Sequence, residues 1–393
     1  MGELIQTRNR NVWMDWARVI ACFMVLIVHS TEPFYFGGEG AQILSRNEAL
    51  WTAVFNTFVR SCVPLFVVIS AWLQLPVQRT TGDFLRRRAV RVVIPFVVWT
   101  VVYTLVLGDG EGINFRNLLF NFNYPSAHLW YVYMLIGLYL LMPLLSPWAE
   151  RVGKRELQFY IVLWLLTTLL QLVRDWIGGA PTVIYGLSGV PRQVLFPLWG
   201  ESSWNTYGLF YYFSGFIGYM LLGLYMRKFS SEMSWGKTLV IALPCFAAGY
   251  AISFNGFWHR VMASSGGTFP TGGPVGVAVW WETTWCNDTI GVALMTIAWV
   301  LLLRKIKSAG GFYNKVIMPV SKASYGMYLC HMLLLSYVSS AICGWLGRGA
   351  DARLGVWTAP VEITVTAVVS FVCVAAVSVA VQRIPKIGKY IMG

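Results

Sequence analysis

The chain has 393 residues, 57% of them hydrophobic and only 12% charged, with a formal net charge of +13. So small a charged fraction excludes an ordinary soluble domain and makes lipid the expected solvent. Its seven cysteines include no C-x-x-C pair and fall mainly in or beside apolar runs, which argues against a disulfide framework and a zinc site.

Apolar runs long enough to cross a bilayer recur along the whole length. They lie at about 13–31, 51–77, 92–108, 128–148, 157–173, 205–226, 238–254, 285–303, 322–342 and 361–381. The expected fold is an all-α integral membrane protein, a polytopic bundle of about ten transmembrane helices forming a single domain over residues 1–393. With that many crossings the termini and every second loop share one side. That side collects Arg8 and Arg10, the arginines from Arg79 to Arg91, Arg151, Lys154, Arg155, Arg227, Lys228, Lys237, the cations from Arg304 to Lys322, and Arg383, Lys386 and Lys389. The other side has Arg46, Arg116, Arg174, Arg192, Arg260, Arg348 and Arg353, a roughly threefold bias that places both termini in the cytoplasm. The basicity therefore reads as topology, not as a nucleic-acid surface.

The first run contains Asp15, Arg18 and His29. Ionisable groups at membrane depth are costly and face a protein interior or a water-filled cavity. At about 100° per residue, Arg18 and His29 fall at nearly the same azimuth, Asp15 within about 40° of it, and His29 lies about 16 Å beyond Arg18. Carrying Asp15 and Arg18, and lacking a small-x-small site after its apolar core, this run reads as a retained span and not a cleaved signal. A neutral imidazole at His29 can accept a proton from a hydroxyl. Glu32, one turn further on, is placed to orient it or to stabilise its charged form.

In the second run Arg60 precedes Ser61, Pro64, Phe66 and Ser70. An intramembrane arginine requires a partner, for which Glu32 or a developing oxyanion are the candidates. The stretch from Phe84 to Pro95 holds Arg86, Arg87, Arg88 and Arg91 and no lysine. Arg88 and Arg91, three apart, are expected on one helical face, where guanidinium forks suit phosphate oxygens. Arg86 and Arg87 are accounted for by topological anchoring or anionic lipid headgroups. His128, Trp130 and Tyr131 open the fourth run, while Ser324, Tyr325, Tyr328 and His331 lie in the ninth; these polar residues are expected to line one cavity. Among the histidines, His29 ranks first and His128, His259 and His331 below it. Two outward loops, about 174–204 and 255–284, are rich in tryptophan (Trp176, Trp199, Trp204, Trp258, Trp280, Trp281, Trp285), as an interfacial aromatic belt or a platform for sugar rings. No Walker loop or nucleophile elbow is present.

In order, Asp15-x-x-Arg18 with His29, Arg60-x-x-x-Pro64-x-Phe66-x-x-x-Ser70, Arg88-x-x-Arg91, His128-Leu-Trp130, and Ser324-Tyr325-Gly-x-Tyr328-x-x-His331 resemble the membrane acyltransferase family 3. Its members are bacterial O-acyltransferases that modify lipopolysaccharide O-antigens, enterobacterial common antigen, peptidoglycan and other surface glycans. Ala71 stands where the family often has glycine after the serine, a small-for-small change. Ending about a dozen residues after its last apolar run, the chain looks like the stand-alone form, similar to the enterobacterial common antigen O-acetyltransferases. The resemblance implies a multi-pass enzyme of the bacterial inner membrane, with no resident cofactor. It would take an acyl group, acetyl above all, from cytoplasmic acetyl-CoA or another acyl-CoA and deliver it to a hydroxyl of a surface or lipid-linked glycan outside. On that pattern His29, Glu32, Asp15, Arg18 and Arg60 are the catalytic candidates, Arg88 and Arg91 the donor-binding ones, and His128, Trp130, Tyr131, Ser324 and Tyr325 the substrate-binding ones. The alternative from another class is a secondary transporter or glycan exporter with a proton relay through His29, Asp15 and Arg18. Acceptor, acyl length, O- against N-acylation, covalent against direct transfer, and oligomeric state are left open by the sequence.

Overall fold

In hydrocarbon a backbone can satisfy its N–H and C=O groups only within a helix or a closed barrel, and the apolar runs of this chain fold as helices. The computed structural model describes residues 11–36, 42–107, 126–177, 182–185, 191–194, 198–200, 205, 207–272, 277–347 and 352–393. In chain order the helices are α1 (Val12–Thr31), α2 (Arg46–Val59), α3 (Cys62–Gln74), α4 (Thr81–Arg88), α5 (Ile94–Leu107), α6 (Trp130–Arg151), α7 (Lys154–Thr168), α8 (Leu170–Ile177) and α9 (Ile217–Lys228). They continue as α10 (Trp235–Ser265), α11 (Val277–Trp281), α12 (Ile290–Leu303), α13 (Met318–Leu346), α14 (Thr358–Gln382) and α15 (Gly388–Ile391). Two short antiparallel strand pairs, Gln42–Ile43 with Thr271–Gly272 and Thr182–Tyr185 with Pro191–Val194, are the only β-ladders among the described residues.

Among the described residues, eight helical segments are long and apolar enough to cross a membrane, and a ninth arises if the pair Ala278–Trp285 and Ile290–Leu303, bent by 46°, is one broken span. The chain is thus an all-α, multi-pass membrane protein. The run expected as a span over 205–226 differs: it holds a 3-10 turn, Gly208–Phe213, and then the 12-residue α9. The second outward loop is also shorter than its sequence implies. α10, capped by the Ser234 side chain, continues through Asn255, His259 and Arg260 and stops only at Gly266, whose φ of 58° is left-handed. Polar residues there mark the helix leaving the apolar layer, not the helix ending.

Prolines set the irregularities. Pro64 lacks the N–H that would bond the carbonyl of Arg60, and the chain breaks at Arg60 and Ser61 between α2 and α3. Two wide π turns, Ala89–Val93 and Tyr313–Ile317, each end two residues before a proline, Pro95 and Pro319. A proline that can neither donate to nor pack under the preceding turn widens it. The first π turn separates α4 from α5, and the second leads into α13.

The contacts of the chain gather into two compact units, each discontinuous in sequence. The first comprises Met1–Ser30, Gln74–Glu150 and Leu303–Gly393, the second Thr31–Leu73 and Arg151–Leu302. In the first unit α13 and α14 pack side by side, joined by the Gln382 amide donating to the Lys322 carbonyl (3.0 Å) and by Cys330 Sγ against Ser378 Oγ (3.4 Å). In the second, Gly218 of α9 lies directly under the Trp164 indole of α7, where no Cβ would fit, and Trp164 Nε1 donates to the Gly215 carbonyl (3.0 Å). The second unit's aromatic core holds Tyr35, Phe257, Trp281 and Trp285, with the Tyr35 ring edge-on to both Phe257 and Trp285 and Phe257 stacked on Trp285 at 4.0 Å.

Candidate functional site

In the first unit α1 and α13 meet along one seam, contacting at residues a heptad apart on α1. Asp15 is 1% exposed and accepts from Tyr313 Oη (2.6 Å), Ser321 Oγ (2.6 Å) and Arg18 Nη1 (3.2 Å). Seven residues on, Cys22 Sγ approaches the Ser324 carbonyl (3.7 Å), and seven further His29 meets His331, ring centres 5.1 Å apart. A spacing of seven keeps nearly the same azimuth. Asp15, Arg18 and His29 therefore share a face as expected, yet their surroundings differ. Asp15 is tied into hydrogen bonds that fasten α1 to the start of α13, and at about 1.5 Å per residue it is about 21 Å from His29. We expect Asp15→Ala, which strands three donors, to cost about 1.5–3 kcal/mol per charged hydrogen bond lost; a thermal-inactivation midpoint unchanged from wild type would contradict this.

The histidine end of the seam is a cluster. His331 touches both His29 and His128, with ring centres 5.1 Å away in each case, and Tyr103 of α5 packs edge-on against His128 at 4.8 Å. Three of the four histidines of the chain are thus brought together by α1, α13 and the turn that opens α6. Neighbouring tyrosines hold them: Tyr103 Oη donates to the Leu329 carbonyl (3.0 Å), and Tyr328 Oη donates to the His128 carbonyl. Tyr131 is buried against the Tyr328 ring at 5.1 Å, whereas Trp130 is 43% exposed and packs edge-on to Tyr131 at 6.5 Å. Ser324 is buried on the seam, and Tyr325 Oη donates to the Val92 carbonyl (2.8 Å) of the first π turn, capping a backbone group there. His331, ranked below His29 from the sequence, is the residue that the structure brings into ring contact with both other histidines.

The same unit carries a cavity of about 750 Å³ lined by Arg86, Arg87, Val90, Arg91, Lys322, Gln382, Lys389 and Gly393. Five of these are cationic and none is acidic. Arg87 is engaged by Asp83 (3.0 Å). Arg91 lines the cavity, but Arg88 does not. The π turn between them breaks the expected shared face, and the Arg88 guanidinium sits between the Phe84 and Tyr139 rings, 5.3 Å from each centre. Lys322 and Lys389 come from helix starts that the sequence reading gave only topological weight. The chemistry of such a lining is polyanion recognition by forked and point charges.

The second unit holds the other sequence-derived candidates. Glu32 begins a 3-10 turn, Glu32–Phe34, whose first carbonyl accepts from the backbone N–H groups of Tyr35 and Phe36. Arg60 finds its partner in Glu282 (2.9 Å), which also accepts from Tyr35 Oη, and its guanidinium lies 4.8 Å from the Trp285 ring centre. Asn56 joins this network, accepting from Arg60 Nε and donating to Thr31 Oγ1 (2.7 Å). Burial first, and the Glu282 carboxylate second, hold the Tyr35 phenol well above its ordinary range, so it is a fixed proton donor. Glu282 was not singled out from sequence; it lay in the loop assigned to tryptophans. Of those tryptophans Trp281 and Trp285 are buried core, Trp258 is half-buried, Trp176, Trp199 and Trp280 are exposed, and Trp204 lies outside the described residues. No cluster of three potential metal ligands occurs among the described residues.

A family model described as an acyltransferase domain matches residues 11–381. No match was found among curated proteins or among solved structures.

Proposed function

The chain belongs to this acyltransferase family, and from that premise we propose that it moves an acetyl group from cytoplasmic acetyl-CoA to a hydroxyl of an extracytoplasmic glycan. The observation that carries the reading is the company kept by α13. Its N-terminal end contributes Lys322 to the cation-lined cavity, and His331, nine residues or about 14 Å further along the axis, meets His29. A polyphosphate headgroup suits the cavity, and an extended acyl-bearing arm suits that depth. Arg91, Arg86, Lys322 and Lys389 hold the donor phosphates, while Arg88 braces α4 against α6 through Phe84 and Tyr139. His29 takes the proton of the incoming hydroxyl as its oxygen attacks the thioester carbonyl.

On this reading the protein sits in a bacterial inner membrane with both termini inside, following the distribution of Arg and Lys. The short α9 does not prevent ten crossings: its 12 residues rise about 18 Å and the preceding 3-10 turn adds about 12 Å, together near the hydrocarbon thickness. Reporter fusions at Ser230 and Lys307 are expected to report cytoplasm and a fusion at Gly267 the opposite side. A cytoplasmic Gly267 would reverse the acceptor's side. The decisive experiment supplies membranes with radiolabelled acetyl-CoA. Label reaching a glycan fraction is the expected result; label that never leaves the donor pool while a solute crosses the bilayer would favour transport.

A further inference from the structure

His331 is 2% exposed and has its two ring nitrogens in different circumstances. Nδ1 is 2.5 Å from the Tyr328 carbonyl of its own helix, a contact that requires Nδ1 to carry the proton. The neutral ring then presents Nε2 as its acceptor, and Nε2 is buried with no hydrogen-bond partner among the described residues. His128 Nε2 is likewise unpartnered, but of the two rings only His331 is in ring contact with His29. The titratable groups around it are His29 on α1, His128 before α6, Tyr328 and Cys330 on its own helix, with Tyr103 and Tyr131 one ring further out. The buried carboxylate of α14, Glu362, is sixteen residues from Ser378, the α14 residue that meets Cys330, hence about 24 Å away along that helix. Arg18 is about 16 Å down α1.

We propose that His331 is a second catalytic histidine, the one that returns a proton to the departing sulfur. The proposal rests on the acetyl-CoA reading above. In acyl transfer one O–C bond forms, one C–S bond breaks, and one proton travels from the acceptor oxygen to the donor sulfur. His29 removes it from the hydroxyl, His331 Nε2 receives it from His29, and His331 delivers it to the thiolate. The proton on Nδ1 never moves, because the Tyr328 carbonyl holds it. Two imidazoles in ring contact divide the base and acid tasks between an acceptor side and a donor side. The helix carrying the acid is the one that reaches the cationic cavity.

The test uses the full-length protein with an extracted membrane glycan fraction as acceptor and two donors: acetyl-CoA, and an S-acetyl nitrothiobenzoate, whose thiolate departs without a proton. His331→Gln is expected to slow transfer from acetyl-CoA by 10²-fold or more, with unchanged KM for acetyl-CoA and unchanged thermal midpoint. It should come within tenfold of wild type on the aryl donor. His29→Gln should stay slow on both donors. A His331→Gln enzyme as fast as wild type on acetyl-CoA, or one equally slow on both donors, overturns the assignment. If wild type does not accept the aryl donor, an acetyl thioester of a fluorinated alkanethiol, whose thiolate is likewise a weak base, replaces it and is read by the same criteria. Should the Gln variant misfold, His331→Asn is read by the same criteria. Wild type that transfers no label from acetyl-CoA refutes the underlying function instead, a result distinguishable from any of these.

Discussion

Replacing His29 with Gln is expected to lower acyl transfer by about 10²–10⁴-fold, the usual contribution of a positioned base. Glutamine keeps polarity and much of the volume but cannot exchange a proton near neutral pH. The fold should tolerate it. α1 is held by Asp15 to Tyr313 and Ser321 about 21 Å away, and Cys22 to Ser324 lies between. Donor affinity should also persist, because the cavity cations come from the Arg86–Arg91 stretch, Lys322 and Lys389 and none from α1. His259→Gln is the control: exposed on α10, it should transfer at the wild-type rate. Near-normal transfer by His29→Gln would make the imidazole structural. Loss of transfer and donor binding together would mean that His29 holds the cluster open, leaving the base to be found at His128 or His331.

The helices were legible because lipid leaves an apolar run one folding option, and the azimuth of Asp15, Arg18 and His29 followed from helical repeat alone. What each of them would meet was not legible. A face is a local property, but a partner such as Tyr313 or Glu282 is hundreds of residues away in the chain. Arg88 and Arg91 misled for a different reason: a spacing of three implies one face only in an unbroken α-helix. The warning was present in Pro95, and again in Pro319, each following a π turn by two residues. The contact of His331 with His29 was not legible because tyrosines and polar residues near span boundaries are commonplace. The heptad step from Ser324 to His331, matching that from Cys22 to His29, was the available signal for the seam. The run over 205–226 differs from its expectation because hydropathy registers apolar content but not the turn at Gly208–Phe213.

Removing cations from the cavity should separate donor binding from chemistry. The double variant Arg91→Ala, Lys322→Ala deletes two charged contacts to phosphate, each worth about 1.5–3 kcal/mol. Because such contacts hold ground state and transition state alike, the KM for acetyl-CoA should rise by about 10²-fold or more while kcat stays within a few-fold. Charge screening predicts a second signature: the wild-type KM should climb with ionic strength, and that of the variant should climb less. Arg88→Ala is the informative contrast. Its guanidinium is wedged between Phe84 and Tyr139, so removal should loosen the packing of α4 on α6 and lower the thermal midpoint, with the donor KM nearly unchanged. The sequence pairing of Arg88 with Arg91 demands the opposite, equal rises in KM for either single variant. Kinetics on three proteins, Arg88→Ala, Arg91→Ala and the double variant, therefore discriminate the two accounts. An unchanged donor KM in the double variant would return the whole basic stretch to membrane topology, since nothing but phosphate recognition requires three arginines and two lysines to converge on one cavity when the positive side of a membrane protein needs only their charge.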